Sequence, residues 1–137
     1  MQPHILSNCF GISYQQFTFP KNTGLSGSII NGTAKDSDEK AEAKVFMELL
    51  MPQEAEVLAS YDHYNWKEYA AITKNHYGKG TAIYIGCMTD DNTLKAVLTE
   101  ALNSAEVEIP EYSWPVIVRK GINDLNKRVR YILNYSA

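Results

Sequence analysis

The stretch Tyr69-Ala70-Ala71-Ile72-Thr73-Lys74-Asn75-His76-Tyr77-Gly78-Lys79-Gly80-Thr81-Ala82-Ile83-Tyr84-Ile85-Gly86-Cys87 decides the fold. Tyr69 to Asn75 is an apolar, β-prone run and reads as a strand. His76 to Gly80 is a turn, with two glycines free to take positive φ. Thr81 to Cys87 reads as the returning strand. It places Ala82, Tyr84 and Gly86 on one face and Ile83, Ile85 and Cys87 on the other. Both faces are apolar, which predicts a central, covered strand.

Downstream, Thr89, Asp90 and Asp91 are good helix N-cap residues. Leu94, Val97, Leu98, Ala101, Leu102 and Ala105 then mark one face of an amphipathic helix over 90–105. Residues 106–115 form a linker with Pro110 and Pro115. Val116–Arg119 and Arg128–Tyr135 read as two strands, and the loop between them holds Gly121, Asn123, Asp124 and Asn126. Upstream, residues 55–61 read as a strand. Val45, Phe46, Leu49 and Leu50 fall at helical spacing and predict a short helix closed by Pro52, with Asp36 and Glu39 at the spacing of a capping box. Residues 9–19 predict a strand stopped by Pro20. Residues 21–28 have a turn composition, and Ile29 and Ile30 suit a short strand. One helix of period 3.6 beside several short strands predicts an α+β domain: a mixed, mostly antiparallel sheet with packed helices.

The chain has 137 residues, room for one domain or for one and the beginning of another. Hydrophobic residues make up 45% and charged residues 21%, an ordinary globular composition. A net charge of −3 with no basic block gives no electrostatic footprint for nucleic acid. No run of eighteen apolar residues occurs, so no membrane partner is expected. Met1-Gln2-Pro3-His4 lacks the basic and apolar regions of a signal peptide. Cys9 and Cys87 make no disulfide framework and sit in apolar segments, which predicts buried free thiols and a cytoplasmic chain.

Few residues are arranged for chemistry. Gly78-Lys79-Gly80 lacks the spacing of a phosphate-binding loop and closes a hairpin instead. Cys87 lies where a strand passes towards a helix, as a nucleophile does in an elbow, but Met88 and Thr89 follow it and no histidine pairs with it. A buried structural thiol is the expectation. His4, His63 and His76 show no metal-ligand spacing, so no metal is expected, and nothing implies a cofactor. The acids gather in Asp36–Glu42 and Asp90–Asp91, both at helix starts, where they complement the helix dipole. Tyr61-Asp62-His63-Tyr64-Asn65-Trp66 is an aromatic cluster in a loop. It suits packing at a strand end, a protein interface, or sugar stacking on a platform of Tyr61, Tyr64 and Trp66.

A family resemblance enters from about Glu54 onward. Glu56-Val57-Leu58-Ala59-Ser60-Tyr61, then Ala70-Ala71-Ile72-Thr73-Lys74-Asn75-His76-Tyr77-Gly78-Lys79-Gly80, then Ala82-Ile83-Tyr84-Ile85-Gly86 resemble the trimerisation domain of bacterial β-galactosidases of glycoside hydrolase family forty-two. Lys74 stands where that pattern has Arg. Val116-Ile117-Val118-Arg119 and Ile132-Leu133-Asn134-Tyr135 are similar to the opening strands of that family's small C-terminal β-domain.

The resemblance implies a partial glutamine-amidotransferase-like (flavodoxin-like) domain over 1–108. Over 109–137 it implies a linker and the first strands of a β-domain. In that family a TIM barrel carries two catalytic glutamates, one following an asparagine. A barrel takes about 250 residues, and no Asn-Glu pair occurs in this sequence, so no catalytic residue carries over. The resemblance implies a non-catalytic oligomerisation module, inactive alone, that forms a homo-oligomer and associates with the barrel part of a β-galactosidase. The alternative is a small carbohydrate-binding module on the aromatic platform.

Overall fold

A computed structural model describes residues 5–31, 40–109 and 112–136. The expected capping box at Asp36 and Glu39, and His4, lie outside the described residues. The chain divides into two compact units, Met1–Val107 and Glu108–Ala137.

The first unit is a seven-stranded sheet. Its strands are β1 (Ile12–Thr18), β2 (Gly24–Ser26), β3 (Lys44–Pro52), β4 (Glu56–Asp62), β5 (Ala70–Tyr77), β6 (Gly80–Ile85) and β7 (Cys87–Met88). The order is β1-β3-β5-β4-β2, with β6 paired to β5 and β7 to β3. Every pairing between these strands is antiparallel, so the expected mixture of directions gives way to a uniformly antiparallel sheet. The helices are α1 (Ser7–Phe10), α2 (Ser28–Asn31) and α3 (Asp91–Ser104). The α+β architecture stands.

The β5–β6 hairpin forms as its sequence demands. Ile72 pairs with Ile85, and the register closes at Tyr77 and Gly80. Gly78, the first of two loop residues, takes φ +60, which suits a II′-type turn. Of the two strands, β5 is the covered one. Ala70, Ala71, Ile72 and Thr73 are buried, while β6 is only half-buried. The difference lies in the neighbours: β5 has β4 on one side and β3, then β6, on the other, whereas β6 pairs with β5 alone.

Successive β5 side chains alternate faces. Lys74 reaches Glu100 on α3 as an ion pair. On the other face, Asn75 Nδ2 donates to the Cys9 carbonyl at 3.0 Å, tying down α1. The main core joins Met47, Leu49, Leu58, Ala59, Tyr61, Ile72 and Val97. A smaller one gathers Ile12, Leu50 and Ala70.

Three local expectations are corrected. Residues 45–52 are strand β3, not a helix. Met, Glu and Leu favour helix locally, but this segment pairs with β1, β5 and β7, and those non-local ladders override propensity. The strand expected over 9–19 begins only at Ile12, because Ser7–Phe10 form a helical turn ended by Gly11. Ile29 and Ile30 lie in α2, and Gly24–Ser26 within the expected turn form β2.

The α3 helix covers the expected span with a rotated face. Thr93 and Val97 are buried, whereas Leu94 and Leu98 are 41% and 55% exposed. Among the described residues, no helix is long and apolar enough to cross a membrane.

The second unit is a hairpin of β8 (Val116–Ile122) and β9 (Arg128–Asn134), in register from Val116↔Asn134 to Ile122↔Arg128. Its loop is set by Asn123, whose Oδ1 accepts from the N–H groups of Leu125 at 3.1 Å and Lys127 at 2.9 Å. Trp114 stacks on Tyr135 at 5.4 Å.

Candidate functional site

The aromatic loop follows β4, and its first member does not face solvent. Tyr61 is 1% exposed. Its hydroxyl lies 2.8 Å from the Glu48 carbonyl and 3.3 Å from the Gly86 carbonyl, spanning the junction of β3 with β6 and β7. Burial raises its pKa well above the ordinary tyrosine value, and Cys87 and Glu48 nearby push it further up. Tyr61 is a structural hydroxyl, so the three-residue platform is corrected to two residues at most.

The remaining members hold together locally. His63 lies 4.6 Å from Tyr64 and is stacked with Trp66 at 6.2 Å. The His63 Nδ1 accepts from the Asn65 N–H at 3.2 Å, which orients the ring. Tyr64 is 81% exposed. Trp66 leans on the main core and offers only part of its surface.

Cys87 carries no nucleophile. It is 5% exposed, and burial pushes its thiol up to about 12. The neighbouring Tyr61 hydroxyl works the other way, while Asp90 and Glu48 add to the rise. The thiol stays protonated at neutral pH, and only the thiolate attacks. A strand does pass into a helix here, at Asp90. The Asp90 carboxylate accepts from the Thr93 N–H at 2.9 Å and from Thr93 Oγ1 at 2.7 Å. Burial pushes Asp90 up, but these hydrogen bonds, together with those from its own backbone and the Glu42 backbone, outweigh it and hold the carboxyl below its ordinary value. The acid serves the helix start.

Sequence reasoning missed Glu48. Its Oε2 accepts from the Tyr84 hydroxyl at 2.7 Å. Burial, then this hydrogen bond and the nearby charge, raise the pKa of Tyr84. Tyr14 is raised by burial and by the same carboxylate. The three residues come from β1, β3 and β6, strands brought together only by the tertiary fold: β1 pairs with β3, while β6 pairs with β5. The signal that could have found Glu48 is one acid inside an otherwise apolar run. Among the described residues, no group of three or more His, Cys, Asp or Glu side chains could hold a metal ion.

Residues 2–108 match the family model described as Beta-galactosidase trimerisation domain. Among curated proteins, β-galactosidase Pbg of Clostridium perfringens is 28% identical over 124 residues, covering 80% of this chain and 16% of its own length. β-Galactosidase BgaA of Clostridium cellulovorans is 26% identical over 110 residues, with the same two coverages of 80% and 16%. The chain therefore spans about a sixth of the length of these relatives. The fold matches the β-galactosidase of Bacillus circulans sp. alkalophilus with a TM-score of 0.73 at 18% identity, covering 96% of this chain and 20% of that one. The enzyme of Rahnella sp. R3 matches with a TM-score of 0.70 at 21% identity and the same coverages of 96% and 20%. With the match running across the whole first unit, the chain belongs to the β-galactosidase trimerisation domain family of glycoside hydrolase family forty-two.

Proposed function

We propose that this chain is a non-catalytic structural and oligomerisation module of a β-galactosidase, an enzyme of carbohydrate metabolism. The match of residues 2–108 to a trimerisation domain carries this reading. The buried Cys87, whose thiol is held protonated, and the engagement of the Glu48 carboxylate by the Tyr84 hydroxyl support inactivity of the chain alone. Its partners on this reading are further copies of itself and the barrel part of a β-galactosidase, in the cytoplasm, with no role for nucleic acid or membrane. Residues 109–137 are the linker and first strands of a C-terminal β-domain. The partial amidotransferase-like (flavodoxin-like) character rests on the resemblance and on the strand-to-helix passage at Asp90. The antiparallel pairings speak against an intact parallel core of that type.

The test is twofold. The chain should not cleave a chromogenic β-galactoside. Turnover by a preparation free of host enzyme, lost on mutating an acidic residue, would overturn the reading. Light scattering should give a mass above the 15.4 kDa of one chain. The stacked His63 and Trp66, with Tyr64 exposed beside them, favour one second reading, a sugar contact at that loop. A glycan-binding screen in which Tyr64→Ala changes nothing would dismiss it.

A further inference from the structure

Among the described residues, β6 pairs with β5 alone, and its other edge meets no strand. The register with β5 runs unbroken from Tyr77↔Gly80 to Ile72↔Ile85. In an antiparallel ladder, hydrogen-bonded pairs alternate with pairs whose backbone groups point outward. The pair that closes a two-residue hairpin, Tyr77 and Gly80, is of the bonded kind. Thr81 and Ile83 therefore turn their N–H and C=O groups away from β5. The free edge stops at Gly86, whose carbonyl accepts from the Glu48 N–H at 2.6 Å.

Sheet edges are normally blunted by charge, proline, a bulge or shortness. Gly80 to Ile85 has no charge, no proline and no register shift. The other edges are guarded. β1 carries a register shift between Tyr14 and Phe17, and β2 is three residues long. β8 and β9 hold Arg119, Lys120, Arg128 and Arg130.

Beside the β6 edge lies a groove of about 710 Å³. Thr81 and Ile83 line one side, and the last turn of α3 lines the other with Ala101, Ser104 and Ala105. These small side chains leave room for a further strand. Glu106 ends the helix at φ +53. Its N–H donates to the Asn103 carbonyl at 3.1 Å, and the Val107 N–H donates to the Leu102 carbonyl at 2.9 Å. That is a Schellman ending, whose left-handed position favours glycine. A carboxylate there also meets the negative end of the helix dipole. Glu106 is thus unfavourable twice over within this chain. Among the described residues no cation lies within ion-pair distance of it, not even Lys79 in the same groove.

Outward N–H and C=O groups at strand spacing are matched by another extended backbone, and an adjoining groove reads its alternate side chains. We propose that the β6 edge is a docking site for an extended peptide of a partner polypeptide. The peptide adds a strand along about 20 Å of edge. It sets apolar side chains over Ile83 and the α3 wall and meets Glu106 with a basic residue. This surface is separate from the oligomerisation reading and does not rest on it.

Nuclear magnetic resonance on the full chain tests the site, with acetyl-Lys-Val-Thr-Val-Thr-Val-amide as the probe. In the dilute free chain, the Thr81 and Ile83 amides should exchange with deuterium roughly tenfold or more faster than those of Ala82 and Tyr84. Millimolar peptide should shift the amides of β6 and the last turn of α3 saturably, and should slow exchange at Thr81 and Ile83. Thr81→Pro removes an N–H that the ladder to β5 does not use. Ala105→Trp fills the groove from an exposed position, so it should fold even where the proline variant does not. Each should weaken peptide binding by roughly tenfold or more. Glu106→Gly should raise the melting temperature and still weaken binding, a combination that a merely structural residue would not give.

A peptide that causes no saturable shift on β6 would overturn the inference. So would equal binding to Ala105→Trp and the unaltered chain. Slow exchange at Thr81 and Ile83 in the dilute free chain would show the edge to be covered by the chain itself, and would overturn it too. Protection that arises only on concentrating the chain alone would assign the edge to a second copy in place of a partner peptide.

Discussion

Replacing Asp90 with alanine tests how the sheet hands over to α3. The carboxylate receives two hydrogen bonds from Thr93, from the backbone at 2.9 Å and the hydroxyl at 2.7 Å. Losing an N-cap side chain costs about 0.5–2 kcal/mol. Thr93 is 0% exposed, so its hydroxyl is left buried without its acceptor, a further cost of about 1–3 kcal/mol. Both costs arise from one carboxylate and overlap, so about 2–3 kcal/mol is the expected total, or a melting temperature lower by roughly 10 °C or more.

Far-ultraviolet circular dichroism during heating and in urea measures it. Thr93→Val removes the hydroxyl and keeps the cap, and should cost about 1 kcal/mol. In the Asp90→Ala background Thr93→Val should cost nothing further, since its partner is already gone. The pH dependence follows from the lowered pKa. The folded state binds fewer protons than the unfolded one, so Asp90 contributes stability above the ordinary carboxylate range. That contribution disappears as pH falls through the folded-state pKa. The alanine variant should lack this part of the acid-side decline. An Asp90→Ala melt within 0.5 kcal/mol of the unaltered protein by the same assay, or full additivity with Thr93→Val, would refute the reasoning.

Tyr61→Phe keeps the packing but strips the hydroxyl hydrogen bond at the junction of β3 and β7. Urea unfolding should show a loss of about 1–2 kcal/mol, and an unchanged midpoint would contradict that. Gly86→Ala places a Cβ 2.9 Å from Leu50 Cδ1 and 3.3 Å from the Ala71 carbonyl oxygen. The overpacking should cost about 1–3 kcal/mol, read from the same curve, and a stabilised variant would show that Leu50 yields freely. Cys87 should resist iodoacetamide at neutral pH until the chain unfolds, because its thiol is buried and raised to about 12. Rapid labelling of Cys87 in the folded protein, located by mass spectrometry, would show the thiol to be accessible.

Short-range physics determined the parts that the sequence by itself made legible. The β5–β6 hairpin, the span of α3 and the β8–β9 hairpin each rest on turn chemistry and periodicity contained within a few residues: Gly78 at its loop position, Asp90 at the cap, Asn123 in its turn. The family was readable for the same reason, since its motif lies along one hairpin. Tertiary structure alone decided the rest. Met47 to Met51 take their conformation from β1, β5 and β7, so a segment of helix-forming residues became the strand on which the others align. The face of α3 was settled by the sheet beneath it, which buries Thr93 and Val97 and leaves Leu94 and Leu98 outside. Tyr61 and Tyr64 are indistinguishable as residue types three apart. Tyr61 is the last inward-facing residue of β4 and sends its hydroxyl to the carbonyls of Glu48 and Gly86, whereas Tyr64 lies in the turn after the strand and stays in water. The left-handed backbone of Val45, at φ +62, was equally out of reach, because it arises from a mismatch in length between two strands some forty residues apart in the chain, a property of the pairing and of neither strand alone.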